Sequence, residues 1–288
     1  MANRVSVAVL QFAPDENEAA SLAVASELVR QAAAEGANVA VLPELFTGPY
    51  FCVSQDEAEF ARAGRWQTHP AVVQLADLAA DLGIVIPVSI FEKDGPEYYN
   101  TLVMIDADGC VLGRYRKSHI PDGPGYQEKF YFRPGNTGFR VWDTKAGRLG
   151  AGICWDQWFP EAARAMTLKG ADMLLYPTAI GSEPHAPELD TEARWRRAMQ
   201  GHAVSNVVPV AAANRTGIEG GQTFYGSSFI ADTAGDIVTA LNRTETGIAM
   251  AEFDLEQIRT ERAAWGFFRD RRPDLYGSLS DTRLKSDD

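Results

Sequence analysis

Cysteine, histidine and basic residues are scarce in this chain of 288 residues, and long apolar runs are missing. Three cysteines, Cys52, Cys110 and Cys154, cannot build a full disulfide framework, and none sits in a C-x-x-C pair. A reducing compartment is the simpler expectation. Four histidines, His69, His119, His185 and His202, are scattered without the spacing of metal ligands, so no metal is expected. Lysine and arginine total 27 against 39 acidic residues, a net charge of −12. Phosphate backbones demand clustered basic side chains, so no nucleic-acid partner is expected. The longest apolar stretches, 84–91 and 207–213, are too short to span a bilayer, and no membrane partner is expected. Glycine-rich phosphate loops of the G-x-x-x-x-G-K-[ST] or G-x-G-x-x-G type are absent as well. Met1 to Arg4 leads into a strand-like pattern without a signal-peptide core, so the expected location is cytoplasmic. With no secretion signal, Asn214-Arg215-Thr216 and Asn242-Arg243-Thr244 are chance matches to the glycosylation pattern.

What is present is the composition of an ordinary globular protein, 45% hydrophobic and 23% charged. No repeat, linker or composition shift marks a boundary. The expectation is one domain over 1–288, with about 265–288 as a tail available for oligomer contacts. Val5 to Phe12 reads as a strand, and Glu18 to Glu35 as an Ala-rich helix stopped by Gly36. Val39 to Leu42 is a short strand, Ala71 to Asp81 a helix before Gly83, and Ile84 to Phe91 a strand. Thr101 to Asp106 and Cys110 to Tyr115 form a hairpin around Asp108-Gly109. A strand over Leu149 to Ile153 leads to a long helix from Pro160 to Lys169. Met173 to Tyr176 and Val207 to Ala213 are strands flanking a helix over Thr191 to Ser205. Phe229 to Asp232, Ile237 to Ala240 and Ile248 to Phe253 read as a closing meander. Interleaved helices, strands and hairpins indicate an α/β fold with mixed sheets.

Chemistry concentrates at strand ends. Glu44 follows Val39-Ala40-Val41-Leu42-Pro43, Lys117 ends Leu112 to Arg116, and Cys154 ends Leu149 to Ile153. Ligands bind beyond the carboxyl ends of strands in open α/β sheets, so all three can meet in one crevice. Each alone also reads blandly, as a surface Glu, a surface Lys and a buried structural Cys. Together they supply what a thiol needs. The thiolate is the nucleophile, a carboxylate can take the proton, and an ammonium steadies the anion. An ion pair at about 4 Å and an effective dielectric near 20 contributes roughly 4 kcal/mol, enough to offset the carboxylate's repulsion.

Leu42-Pro43-Glu44-Leu45-Phe46, Tyr115-Arg116-Lys117-Ser118-His119-Ile120-Pro121 and Gly152-Ile153-Cys154-Trp155-Asp156 resemble the carbon–nitrogen hydrolase (nitrilase) superfamily. Their order fits too, with 73 residues from Glu44 to Lys117 and 37 from there to Cys154. The resemblance runs from Val5 to about Phe253. It implies a four-layer α-β-β-α sandwich of two mixed sheets, with Glu44 as general base, Lys117 as electrostatic stabiliser and Cys154 as nucleophile. It also implies a second glutamate shortly after the lysine. Glu128 in Gln127-Glu128-Lys129-Phe130, before Arg133-Pro134-Gly135, occupies that place. Lys117 and the Trp155 N–H then hold the oxyanion. No metal or organic cofactor is implied. Homo-oligomers, dimers or larger, are implied, with the Pro160 helix and the tail as interface elements.

Residues 119–132, 154–166, 176–184 and 199–203 further resemble the branch that hydrolyses the terminal ureido group of N-carbamoylputrescine. The branch acting on carbamoyl-D-amino acids places paired arginines just after the nucleophile, where this chain has Gln157 and Trp158. A small cationic ureido substrate needs an acidic wall instead. Glu183 is the first candidate for that wall, with Glu188, Asp190 and Asp122 behind it. Tyr50, Phe51, Tyr126, Trp155 and Trp158 are candidate walls of an apolar tunnel. The competing expectations are an ω-amidase or carbamoyl-β-amino-acid hydrolase, a papain-like pairing of Cys154 with His119 or His202, and an inactive interaction protein keeping the fold.

Overall fold

The computed structural model describes residues 4–281. Two six-stranded sheets face each other. The first contains β1 (Arg4–Gln11), β2 (Val39–Val41), β3 (Ile86–Asp94), β4 (Glu97–Ile105) and β5 (Val111–Arg116). β1 and β2 are parallel, β3 to β5 form an antiparallel meander, and a parallel bridge from Val39 to Val85 joins the two parts. The second sheet contains β6 (Arg140–Thr144), β7 (Gly147–Ala151), β8 (Met173–Thr178) and β9 (Val210–Asn214). Beyond a small hairpin of β10 (Thr216–Glu219) and β11 (Gln222–Tyr225), it is extended by β12 (Phe229–Ala231) and β13 (Ile237–Ala240).

Period-two side-chain alternation explains the layering. Val5, Val7, Val9, Val39 and Val41 point to the second sheet, where Leu149, Ala151, Met173, Leu175, Ala211 and Ala213 meet them. Their neighbours Ala8, Leu10, Ala40 and Leu42 point the other way, onto α1 (Glu18–Ala34) and α2 (Pro70–Leu82). Both faces of these strands are covered, which is why they read as nearly continuous apolar runs. α1 buries Leu22, Ala25, Leu28, Val29 and Ala32, the one-face spacing of an amphipathic helix, and Asn17 caps its first turn. On the opposite outer face, α4 (Pro160–Leu168) and α5 (Glu192–Asn206) cover Leu174, Tyr176, Val210 and Ala212. Each fully buried Val or Leu contributes about 1.5–3 kcal/mol, so these three contact layers carry most of the stability. The architecture is the α-β-β-α sandwich of mixed sheets.

Three expectations change. The strand expected at Ile248 to Phe253 does not continue the meander with β13. As β14 (Gly247–Asp254) it crosses to the first sheet and pairs antiparallel with β1, from Arg4↔Asp254 to Gln11↔Gly247. There Ile248 and Met250 pack on the α1–α2 layer, and β1 gains a second hydrogen-bonded neighbour. The expected long Pro160 helix has only nine residues, and α5 with 15 is the longer. α6 (Leu255–Trp265), which was not anticipated, starts on an Asp254 cap and buries only Leu255 and Ile258. Of the expected tail at 265–288, residues 282–288 lie outside the described part. Among the described residues no helix is long and apolar enough to cross a membrane.

Candidate active site

Strand ends of both sheets converge where the sequence motifs fall. Glu44 lies just past β2, and its backbone N–H donates to Thr178 O of β8 at 3.3 Å, tying the two sheets together. Lys117 directly follows β5, with its N–H on Asn100 O at 2.8 Å and its carbonyl accepting from Gly135 N at 2.8 Å. A Cβ on Gly135 would sit 2.0 Å from Arg116 O, so only glycine permits this approach. Cys154 opens a short 3-10 turn after β7 and has φ of 38°, a left-handed conformation rare outside glycine. Such backbone strain costs about 1–3 kcal/mol and persists only where surrounding contacts impose it. Asp156 supplies several. Its fully buried carboxylate accepts from Ile153 N at 3.0 Å, Tyr115 OH at 2.7 Å and His119 N at 3.0 Å, and lies 2.7 Å from His119 Nδ1.

Lys117 Nζ is the hub. It lies 2.8 Å from Glu44 Oε1, and 2.8 and 2.6 Å from Glu128 Oε1 and Oε2. All three side chains are fully buried, and Cys154 is nearly so. Asn100 Nδ2 donates to Glu44 Oε1 at 2.6 Å, and Tyr50 OH to Glu128 Oε1 at 2.6 Å. Glu44 Oε2 is buried and has no hydrogen-bond partner. That oxygen is free to take a proton. Two carboxyl groups share this single ammonium. Burial and the Glu44 charge therefore push the Cys154 thiol well above the ordinary cysteine value, against the pull of Lys117. Burial acts against the Lys117 ammonium too, but the Glu128 and Glu44 carboxylates outweigh it and raise its pKa. Burial pushes Glu128 upward, opposed by Lys117. The resting pair is thus a neutral thiol and a firmly protonated lysine, so the thiol must lose its proton as it attacks.

Cys154 opens onto a cavity of about 190 Å³ whose lining includes Tyr126, Trp155, Trp158, Ala179, Ile180, Asp122, Glu183 and His185. None of its lining residues is an arginine or lysine. Glu183 is half-buried and Asp122 exposed, and neither has an ion-pair partner among the described residues. The other two acidic candidates, Glu188 and Asp190, line a separate cavity of about 260 Å³, where Asp190 pairs with Arg243 at 2.6 Å. Tyr126 OH accepts from Gly181 N and Gln222 Nε2, each at 2.8 Å, and so braces the loop bearing Glu183.

Several expected positions move. Tyr50 and Phe51 do not line the cavity; Tyr50 braces Glu128, and Phe51 stacks on Phe91 with ring centroids 5.0 Å apart. Gln157 is fully buried and accepts from Trp195 Nε1 of α5 at 2.7 Å, so it faces the helix layer, not the cavity. His119 stacks on Phe159 and bonds Asp156, while His202 Nε2 lies 2.7 Å from Gln157 O. Cys154 Sγ instead contacts Ala179 O at 3.5 Å. Asn100, Asp156 and the Tyr50 contact escaped the sequence. The one signal was a fully buried asparagine position just before the apolar run Leu102 to Ile105 of β4.

Residues 6–263 match the family model described as carbon-nitrogen hydrolase. The chain is 55% identical over 283 residues to N-carbamoylputrescine amidase of Solanum tuberosum, covering 96% of this chain and 94% of that protein. It is 51% identical to a citrullinase of Francisella tularensis, covering 97% and 99%. A crystal structure of a carbon-nitrogen hydrolase from Helicobacter pylori superposes with a TM-score of 0.91 at 38% identity, covering 98% of this chain and 100% of that one. The chain belongs to the carbon-nitrogen hydrolase family, and it is an amidohydrolase.

Proposed function

We propose that this chain hydrolyses the ureido group of N-carbamoylputrescine to putrescine, ammonia and carbon dioxide. The observation that carries the cationic tail is the lining of the Cys154 cavity, with two unpaired carboxylates and no arginine or lysine. The 55% identity to a protein named for this substrate supports the same reading.

Cys154 attacks the ureido carbon while Glu44 Oε2 takes the thiol proton, so the S–C bond forms without a free thiolate. Lys117 and the Trp155 N–H face the developing oxyanion. As the C–N bond breaks, Glu44 returns the proton to the leaving nitrogen and ammonia departs. Glu44 then deprotonates water, which displaces the thiol from the carbamoyl-thioester. The carbamate loses carbon dioxide. Glu128 keeps Lys117 protonated throughout and touches no substrate. Glu183 is the partner proposed for the distal ammonium, with Trp158 and Tyr126 along the chain between.

The test is ammonia release from N-carbamoylputrescine, its homologue one carbon longer, and a carbamoyl amino acid. The first should be preferred; preference for the anionic tail rejects the assignment. Cys154→Ala should abolish turnover, and Cys154→Ser should lose about 10³-fold or more, as nucleophile replacements do. A second reading, a zwitterionic ureido amino acid such as citrulline, draws on the citrullinase relative and on His185, the cavity's one group able to carry positive charge toward a carboxylate. We further propose a cytoplasmic homo-oligomer. Free Cys154 favours a reducing compartment, and Trp265, Leu275 and Leu279, at least 60% exposed, offer a second copy an apolar surface.

A further inference from the structure

Arg215 sits just beyond β9 and is fully buried. Its Nη2 donates to Glu44 O and Leu45 O, each at 2.9 Å, and both Nη atoms lie 3.3 Å from Gly48 O. Nη1 pairs with Glu219 Oε2 at 2.6 Å. That same carboxylate oxygen accepts the Tyr50 N–H at 2.6 Å, and Tyr50 OH continues to Glu128 Oε1 at 2.6 Å. One ion pair therefore holds both ends of the segment 44–50. One end carries Glu44; the other carries the tyrosine bonded to Glu128. Within the segment Leu45 has φ of 48°, a conformation that holds only if the flanking carbonyls are fixed. A planar guanidinium can fix three carbonyls and a carboxylate at once, which a lysine ammonium cannot do in the same geometry.

We propose that Arg215 and Glu219 are positioning residues that set Glu44 and Glu128 against Lys117 without contacting substrate. The proposal rests on Glu44 and Glu128 serving the reaction as described above. Its mechanism is geometric: a displacement of about 1 Å at a reacting group can lower the rate by roughly a hundredfold.

Arg215→Lys keeps the charge and removes the fork. Measured well below its unfolding temperature, with folding checked by near-ultraviolet circular dichroism, it should lower kcat by about 10–100-fold while KM stays within about twofold. The acid limb of its kcat profile should move to higher pH. A Glu128 carboxyl drawn away from Lys117 loses the ammonium that opposes its burial-driven upward shift. If Arg215→Lys does not fold, Glu219→Asp carries the same test by shortening the carboxylate that links Arg215 to Tyr50. A folded variant with reduced thermal stability but unchanged kcat and pH profile overturns the proposal. Glu44→Gln is run in parallel. If it is inactive while the positioning variants are unaffected, only this proposal falls; if it keeps activity, the general-base reading falls first and takes this proposal with it.

Discussion

The two ends of the proposed substrate site are built in opposite ways. At the reacting end, Glu44, Lys117 and Glu128 are fully buried, with Lys117 bonded to both carboxyls and Asn100 and Tyr50 donating to one oxygen of each. At the mouth, Asp122 and Glu183 have no ion-pair partners among the described residues, and Asp122 and His185 are exposed. A charge held in low dielectric by several fixed partners acts strongly and cannot be removed alone without harm. A charge in water is weak, replaceable and free to meet a ligand. In the proposed function the reacting end therefore sets whether the reaction occurs, and the mouth sets which tail is accepted. Substitutions in the two regions should separate cleanly into losses of kcat and losses of KM.

Lys117→Met should have the largest effect. It strands two buried carboxylates beside each other, and removing one partner of a buried pair typically destabilises by about 3–5 kcal/mol. Turnover should fall by about 10³-fold or more, because the oxyanion loses its cation and Cys154 faces two uncompensated charges. The stability defect also has a sign in pH. Burial already raises Glu128 against the pull of Lys117, and losing the ammonium raises it further, so the folded variant holds a proton that the unfolded chain releases. The variant's deficit should then be smallest at low pH and grow as pH rises through the neutral range. Urea unfolding at several pH values reads this directly. A deficit that is flat with pH would show that Glu128 does not depend on Lys117 for its charge.

Glu183→Gln should leave kcat and stability almost untouched and raise KM for N-carbamoylputrescine by about 10–100-fold, the 1.4–2.7 kcal/mol span of a hydrogen bond to a charged group. Measuring kcat and KM separately distinguishes this from damage at the reacting end. A fall in kcat with KM unchanged would place Glu183 among the groups that serve the chemistry and blur the division between the regions.

The same division explains what could be read from the sequence. Glu44 and Cys154 stood out because each follows an apolar strand, and strands with both faces covered advertise themselves, while Lys117 stood out at the end of a hairpin strand. Glu128 sits in a four-residue helix between loops, and only its place in a family pattern pointed to it. Asn100, Tyr50 and Arg215 reach their partners across 56, 78 and 171 residues, contacts that no local periodicity encodes. The crossing of β14 to β1 escaped for a similar reason, since its alternation suits either sheet and only the unfilled side of β1 decides. β6 was missed because its Arg-Val-Trp-Asp-Thr run is an edge strand with one buried residue.

Asp122→Asn should have the smallest effect and divides the mouth itself. Asp122 lies in the same cavity as Glu183 but is open to solvent, so water and salt screen its charge. As a long-range attractor of the ammonium it should change KM about threefold at most, within the roughly 0.2–1 kcal/mol of an exposed pair. The difference between Asp122→Asn and the unaltered chain should shrink further between about 0.01 M and about 1 M salt, as the screening length falls from about 30 to about 3 Å. The Glu183→Gln defect, arising from a half-buried contact, should persist over that range. If Asp122→Asn instead equals Glu183→Gln in KM and resists salt, the ammonium is held between both carboxylates, and the mouth is a built site rather than an open rim with one anchor.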